Sequence, residues 1–501
     1  MVALLAVSLA ALAVRLVSAA LVVVQPGYTD AYYYVDTAAR LARGEGLTVD
    51  FVWNFLEAPH LEALPVPSHR FWMPLSTALQ AGGIVALGGW VGAFRGAQSA
   101  VIALAAALPA AGYASARALG VAARPSCVAA ALVGLGGVFA PAWVALDSFA
   151  PAALLGTGFF LLYARAARGD VPAGLAAGVT VGLLFLARAE GALFGLAILA
   201  LARRGRSRPA GMAGAAAALA IGSAWLVRDL SLQPAVDLLS RSVLLVHYEQ
   251  FFALTPPSPQ EFLAAWPVVL EAKAQALASN AFVALLAFMV ILVPPIAGGV
   301  RAAFARPEVR AWAGMLLLVY LAQSLAWTLH STRGSFFHSL SAFLPFGVAL
   351  AVHGGEEWFR RRVPAFRAAL ALATVAGAAY ISYTALTEWD TAFNVPYRSR
   401  AAAIDAIPAG EPFMAVDAAA WRWISGRGEV FVTPTTVAEA RCVAARYGVG
   451  SIVLEPTRFA AFDALYRRAG GEYWLSAPIE RGDVVIYRVD DPLAPSCAAS
   501  P

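Results

Sequence analysis

The chain has 501 residues, of which 60% are hydrophobic and 13% are charged, and its formal net charge is +5. Soluble domains carry about 25% charged residues, so this composition excludes a soluble globular protein and indicates a polytopic membrane protein. The excess of 36 basic over 31 acidic residues is small, and we expect no nucleic-acid partner.

The N-terminal region is apolar over residues 3–24, with Arg15 inside the run. We find no small-residue cleavage site followed by a soluble domain, so we expect an uncleaved first span. The stretch that follows, "GYTDAYYYVDTAARLARGEGL", places Asp30 and three tyrosines where the chain leaves the membrane. An acid at this position is either a simple helix end or a base held against a lipid-borne substrate.

Uncharged or nearly uncharged runs recur along the chain, and a helix needs about 20 residues to cross the hydrocarbon core. They lie at 3–24, 71–94, 96–116, 125–146, 148–164, 171–187, 191–202, 209–227, 279–300, 311–329, 334–352 and 368–387. If 71–94 lies along the outer surface instead of crossing, fourteen basic loop residues fall on one side between residues 117 and 362, and five fall on the other. This bias identifies the first side as cytoplasmic.

The resulting prediction is eleven spans with the N-terminus inside. Residues 171–202 are too long for one helix, so we expect a hairpin whose outer turn carries Arg188 and Glu190. Three extracytoplasmic features remain: residues 25–95, the loop 231–278 and a tail. The predicted domains are therefore a transmembrane catalytic domain at 1–387 and an extracytoplasmic domain at 388–501.

The tail contains short β-branched or aromatic runs, "PFMAVD", "EVFVTP", "SIVLEP" and "VVIYRV", separated by helix-like stretches. This alternation predicts a small α/β domain with a largely parallel sheet. Its motif-poor sequence favours a structural or recognition role. The three cysteines, Cys127, Cys442 and Cys497, show no paired spacing, so we expect neither a disulfide framework nor a zinc site.

Under this topology, charged and polar groups collect on the outer face, beside short loops. Asp30 lies at the end of the first span, and Asp147 lies at the end of the third span. Arg188 and Glu190 lie at the next outer turn, and Arg333 and His338 lie in "LHSTRGSFFHSL". Charges near the hydrocarbon are costly and usually functional. Each also has an ordinary structural explanation: the acids cap helices, Arg188 pairs with Glu190, His338 packs in a core, and Asp36 is solvated. Their coincidence on one face favours group transfer from a lipid phosphate, because carboxylates serve as general bases and Arg and His bind phosphate.

The motifs "TDAYYYVDTAARLARGEGL", "SHRFWMPLSTAL", "ALDSFAPAALL", "LARAEGAL" and "RGSFFHSLSAFLPF" occur in that order. In this arrangement residues 1 to 390 resemble the GT-C glycosyltransferases that use polyprenyl-phosphate sugars, in particular the branch of protein O-mannosyltransferases and the lipid A aminoarabinose transferase. The resemblance implies Asp30 as catalytic base, Tyr34 as its nearby aromatic, Asp147 as second acid, and Arg333 and His338 near the lipid phosphate. It also implies juxtamembrane helices at 30–44 and 71–94.

The chain departs from that pattern at two places. Ala31 follows Asp30 where the family often has Glu, and Trp72 precedes Met73 and Pro74 where the aminoarabinose transferase branch has a metal-binding acid. This second change argues against a divalent metal cofactor. His247 with Glu249, or His60 with His69, remain as alternative ligands that spacing alone does not single out.

These observations predict a cell-envelope glycosyltransferase of the plasma (inner) membrane, with its active site on the extracytoplasmic face. It would move a sugar from a polyprenyl-phosphate carrier to a glycan, lipid or protein acceptor, as a mannosyltransferase does. The transfer would invert the configuration of the sugar. Asp30 and Asp147 are the predicted catalytic residues, and Tyr34, Arg188, Glu190, Arg333 and His338 are the predicted substrate-binding residues. The alternatives are a transporter or flippase of lipid-linked or polar substrates, and a lipid-linked glycan ligase.

Overall fold

The structure, a computed structural model, describes residues 1–55, 64–203, 205–232, 242–255 and 257–491. The chain divides into two compact units. The helical unit comprises Met1–Val24, Trp72–Ser231 and Glu271–Trp389, and the sheet unit comprises Gln25–Phe71, Leu232–Leu270 and Asp390–Pro501. The sheet unit therefore combines the tail with the first outer segment and part of the second outer loop.

The helical unit is built from apolar helices. They are Val2–Leu21, Leu75–Ala106, Leu108–Ala118, Ala123–Leu135, Phe149–Ala166, Val171–Ala187, Gly195–Ala202, Arg208–Leu232, Trp266–Ala287, Val293–Ala303, Pro307–Leu325, Thr328–His330, Phe336–Leu340, Leu344–Trp358 and Pro364–Trp389. The helices Val293–Ala303 and Leu344–Trp358 pack with their backbones in contact. A Cβ added at Gly299 would lie 2.1 Å from the Leu350 carbonyl oxygen, and a Cβ added at Gly354 would lie 2.1 Å from the Pro295 carbonyl oxygen. Such small-residue contacts are typical of membrane helices.

Within the described ranges, seven helical segments are long and apolar enough to cross a membrane. They are Val2–Leu21, Leu75–Ala118, Phe149–Ala166, Arg208–Leu232, Trp266–Ala287, Thr328–Trp358 and Pro364–Ala406. Three shorter apolar helical segments, Ala123–Leu135, Val171–Ala187 and Ala189–Ala202, lie between them. The polytopic helical class predicted from composition is confirmed, whereas the number of eleven spans stays a prediction.

Several predicted spans are interrupted helices. The segment that begins at Leu75 breaks at Gly92, whose φ of 81° a side chain would disfavour, so that Gly83 contacts the backbone of Gly96. The predicted span 279–300 divides between two helices, with positive φ angles at Met289 and Val290. The first of these helices begins at Trp266, inside the predicted outer loop.

Among its described residues, the sheet unit contains two sheets. Strands β1 (Thr48–Val49) and β3 (Val66–Pro67) pair with each other. The larger sheet has six strands: β2 Phe51–Val52, β4 Phe413–Ala415, β5 Val430–Val432, β6 Ser451–Leu454, β7 Ile479–Arg481 and β8 Val484–Arg488. Their order in the sheet is β2-β5-β4-β6-β8-β7. Strands β2, β5, β4 and β6 are parallel, and β8 is antiparallel to β6 and β7. This sheet confirms the α/β tail read from the four apolar runs, and strand β2 adds the first outer segment to it.

The described part of the sheet unit also contains helices. They are Thr29–Ala42, Pro259–Ala264, Val395–Ala403, Ala418–Ser425, Val437–Tyr447 and Asp463–Tyr466. The Val437–Tyr447 helix begins with a capping box between Thr436 and Glu439, which satisfies exposed N–H groups of its first turn.

Two expectations about this unit are wrong. Asp36 is not solvated: it is 2% exposed, and Arg422 Nη1 lies 3.5 Å from its Oδ1, because the Thr29–Ala42 helix buries this face. Cys442 is disulfide-bonded, whereas Cys127 is free. Sequence spacing missed the bond because a disulfide depends on distance in space. Disulfides persist in oxidising compartments, which favours an extracytoplasmic tail.

Candidate functional site

Asp147 lies in an irregular stretch between two helices of the helical unit. The Ala123–Leu135 helix ends at Gly136, which adopts the left-handed conformation, and the next long helix begins at Phe149. Backbone groups in this stretch find partners in neighbouring helices: Gln98 Nε2 donates to the Val144 carbonyl at 3.0 Å, and Gly137 N–H donates to Ser382 Oγ at 3.1 Å. Irregular backbone at membrane depth needs such partners.

The Asp147 carboxylate is held within this stretch and is 1% exposed. Its Oδ1 accepts hydrogen bonds from Ser148 N–H at 2.5 Å and from Ser148 Oγ at 3.0 Å. Its Oδ2 lies 3.5 Å from His338 Nδ1. The carboxylate is thus oriented by its neighbour in the chain and aimed at a histidine from a distant helix.

Arg188 lies in the turn between the Val171–Ala187 helix and the following 3₁₀ helix. Its side chain joins three segments of the helical unit. Its Nε donates to Glu190 at 2.5 Å, and its Nη1 donates to His338 Nδ1 at 2.9 Å and to Ser148 Oγ at 3.4 Å. Its Nη2 donates to the carbonyl and hydroxyl oxygens of Ser335 at 3.2 and 2.8 Å. A planar guanidinium with five N–H donors suits this role.

The bond from Arg188 fixes the tautomer of His338. Because a guanidinium nitrogen can only donate, Nδ1 must accept, and the proton of the neutral ring lies on Nε2. The ring packs against Phe149, with centroids 4.2 Å apart. His338 is therefore arranged as an oriented hydrogen-bond donor.

Glu190 completes the cluster and has its own support. It accepts a hydrogen bond from Ser339 Oγ, which in turn accepts one from Gln323 Nε2 at 2.6 Å. Asp147, Arg188 and Glu190 together carry a net charge of −1 with His338 neutral.

Arg333 is exposed, and it precedes Ser335 and His338 closely in the sequence. It lies in a π-helical turn, Ser331–Ser335, whose Gly334 has a φ of 112°. Ser335, the last residue of this turn, is held by Arg188. The backbone immediately after Arg333 is thus anchored to the cluster.

Of the predicted site residues, the structure brings together Asp147, Arg188, Glu190 and His338 in the helical unit. Asp30 and Tyr34 belong to the Thr29–Ala42 helix of the sheet unit. Asp30 is half-buried in the first turn of this helix, whose N-cap is Tyr28, so Asp30 does not cap it. Tyr34 is 2% exposed, and its ring lies 6.4 Å from those of Tyr33 and His69.

The alternative metal ligands have separate surroundings. His69 is 1% exposed, its Nδ1 shares a hydrogen bond of 2.7 Å with Ser68 Oγ, and its backbone N–H donates to Tyr33 Oη at 2.6 Å. His247 and Glu249 are exposed around a short 3₁₀ helix, Tyr248–Phe251. His60 lies outside the described residues. His69 thus has a packing role beside the helix that carries Asp30.

Sequence reasoning missed the serines that complete the cluster. Ser148, Ser335 and Ser339 each hydrogen-bond to a charged member. Their only signal was position, since they stand next to Asp147 or within four residues of His338 in the motifs "ALDSF" and "RGSFFHSLS". Serines are too common for such proximity to predict a contact.

Comparisons with solved structures show the fold. ArnT from Cupriavidus metallidurans, bound to undecaprenyl phosphate, is 12% identical with a TM-score of 0.59, and the match covers 98% of this chain and 99% of that one. The Archaeoglobus fulgidus oligosaccharyltransferase in complex with a tethered acceptor peptide is 14% identical with a TM-score of 0.53, covering 89% of this chain and 69% of that one. No family model and no curated protein sequence matches the chain.

The mycobacterial arabinofuranosyltransferase AftD is 16% identical with a TM-score of 0.52, and the match covers 98% of this chain and 40% of AftD. These three enzymes share the GT-C fold. The chain therefore has the fold of the GT-C glycosyltransferases and is an integral membrane protein. The fold expected from the sequence motifs is confirmed.

Proposed function

We propose that the protein is a glycosyltransferase that moves a sugar from a polyprenyl-phosphate carrier to an acceptor hydroxyl on the extracytoplasmic face of the plasma (inner) membrane. The observation that carries this proposal is the largely buried cluster of Asp147, Arg188, Glu190 and His338 in a chain of the GT-C fold. Intramembrane charges are costly and usually functional, and ArnT, of the same fold, binds undecaprenyl phosphate.

In the proposed reaction the acceptor oxygen attacks the anomeric carbon as the bond from that carbon to the phosphate oxygen breaks. Asp30 takes the proton of the acceptor hydroxyl, and the electron pair of the broken bond leaves with polyprenyl phosphate. A general base of this kind contributes about 10²–10⁴-fold in rate. The attack opposite the leaving group inverts the configuration of the sugar.

The helical unit would stabilise the leaving group. His338 donates from Nε2, and Arg333 offsets the charge that grows on the phosphate as the bond breaks. Arg188 holds His338 and the Arg333 turn in place through the contacts described above. Asp147 orients the acceptor hydroxyl, and Glu190 keeps Arg188 paired. Tyr34 contributes aromatic packing beside the base.

The test is a turnover assay with purified protein in lipid nanodiscs. Undecaprenyl phosphate carrying radiolabelled mannose, aminoarabinose or arabinofuranose is incubated with a cell-envelope extract as acceptor. We expect one of these donors to release undecaprenyl phosphate and to transfer label to the extract. If every donor remains intact, and donor bound to the protein is recovered unchanged, the proposal of a transferase is contradicted.

The transporter alternative predicts a different result from the same material. A flippase would move intact labelled donor between the leaflets of a proteoliposome without cleaving the bond to phosphate. Transporters place charged groups near the middle of interrupted spans, whereas Asp147 and Arg188 lie where helices end. We therefore favour the transferase.

A further inference from the structure

The segment that leads into Asp30 is held by side chains from the C-terminal part of the chain. This segment, Gln25–Thr29, contains a turn at Gly27 with a φ of 104°, and it precedes Asp30 directly. Gln25 and Tyr32 are fully buried. The position of the Asp30 backbone therefore depends on what fixes these five residues.

One link joins Thr29 to the tail. Thr29 Oγ1 donates to Asp417 Oδ1 at 3.1 Å, and Asp417 also caps the Ala418–Ser425 helix by accepting from Ala420 N–H. Asp417 Oδ2 pairs with Arg400 at 3.1 Å. Arg400, which is 9% exposed, pairs in turn with Glu455 at 2.6 Å. Thr29 is thus tied to an ion-paired array that ends beside strand β6.

A second link joins Gln25 to the tail. Gln25 Nε2 donates to Asn394 Oδ1 at 2.9 Å. Gln25 Oε1 accepts from Gly27 N–H at 2.7 Å and from Tyr32 Oη at 2.6 Å. One buried carboxamide therefore connects the tail, the turn and the first turn of the helix.

We propose that Thr29 and Gln25, held by Asp417 and Asn394, are positioning residues for Asp30, so that the C-terminal part of the chain sets the geometry of the base. This inference rests on the proposed function, in which Asp30 takes the acceptor proton. The physical reason is that general-base catalysis requires the carboxylate within hydrogen-bond reach of its proton. A displacement of about 1 Å at such a group costs up to about a hundredfold in rate.

The test compares Thr29→Val, which removes the hydroxyl and keeps the shape, with Thr29→Ser, which restores a donor. Rates of undecaprenyl phosphate release are measured with the radiolabelled donor that supports turnover. We expect Thr29→Val to lower kcat about tenfold or more, with an unchanged KM for the donor, and Thr29→Ser to recover most of the loss. Thr457→Val, at an exposed position of the same unit, is the matched control and should behave as wild type.

A double-mutant cycle separates positioning from general structural support. If Thr29 acts through Asp30, Thr29→Val has no further effect on the residual activity of Asp30→Asn. An equal fold-loss in both backgrounds overturns the inference, as does a folded Thr29→Val protein with wild-type kcat. If Thr29→Val does not fold, Asn394→Ala tests the second link by the same criteria.

The outcomes also distinguish this inference from the function on which it rests. Asp30→Asn with more than half the wild-type kcat refutes Asp30 as the base, and the positioning role falls with it. An inactive Asp30→Asn beside a fully active, folded Thr29→Val refutes the positioning role alone.

Discussion

Arg188 and His338 are joined by a hydrogen bond of 2.9 Å from Nη1 to Nδ1, although 150 residues separate them. The same guanidinium binds Glu190 and Ser335, so a single side chain holds the histidine ring, an acid and the turn after Arg333. A lysine, as a point charge on a flexible stem, cannot make these bonds together.

Arg188→Lys should therefore lower kcat about a hundredfold, because His338 and the Arg333 turn lose their common support. Steady-state kinetics of undecaprenyl phosphate release measure this loss. Arg165→Lys is the matched control, since Arg165 forms an exposed ion pair with Asp170 at 2.7 Å, and exposed pairs contribute little to stability. Equal activity of the two variants would remove Arg188 from the site.

Asp30→Asn should abolish most transfer while the protein stays folded. Asp30 is in the first turn of its helix and does not cap it, so the change leaves the helix cap intact and removes a favourable charge at the helix N-terminus, worth about 0.3–1 kcal/mol. Loss of a general base should lower the rate about 10²–10⁴-fold. Asp36 is unsuitable as the control because it is buried.

Asp483→Asn serves as the control instead, because Asp483 is exposed in the same unit. It should retain wild-type activity. If folded Asp30→Asn keeps more than half the activity, Asp147 becomes the candidate base, and Asp147→Asn should then give the larger loss.

Asp36 should make the stability of the protein fall as the pH rises. Burial raises the pKa of Asp36 to about 6, against the opposing effect of Arg422, whereas the pKa of an unfolded Asp is about 3.9. The folded state thus holds a proton that the unfolded chain has released, and this stabilisation is present below about pH 4 and lost as the pH rises through about 6. Its size is on the order of 1–3 kcal/mol.

Thermal unfolding at pH 5 and pH 7.5 tests this dependence in wild type and in Asp36→Asn. Asn cannot ionise, so the variant should lose less stability than wild type over this interval. Identical changes in Tm for the two proteins would show that Asp36 does not titrate there.

Reporter fusions after Arg95 and after Asp390 should both read extracytoplasmic, which places residues 71–94 on the outer side. Arg95 Nη1 donates to the carbonyl of Ala19 at 2.6 Å, near the end of the first helix, so the sidedness of Arg95 is that of this helix end. A fusion after Arg168, in a predicted cytoplasmic loop, is the control and should read inside. A cytoplasmic signal after Arg95 or Asp390 would overturn the assignment of the site to the outer face.

The sequence by itself determined the membrane class, the strands of the tail and the acids worth testing. Low charge content and long apolar runs directly indicate a lipid environment, and the β-branched runs at 430–432 and 451–454 indicate extended chain geometry. The motif order was also sufficient to indicate the GT-C fold, because each motif lies within a short continuous segment.

Only the tertiary structure decided which side chains meet. No local pattern pairs Arg188 with His338, assigns Phe51–Val52 to the sheet of the tail, or buries Asp36 against Arg422. Hydropathy and periodicity describe how a residue relates to its neighbours along the chain. Contacts between residues more than a hundred positions apart depend on how whole elements pack, and hydropathy and periodicity carry no information about that packing.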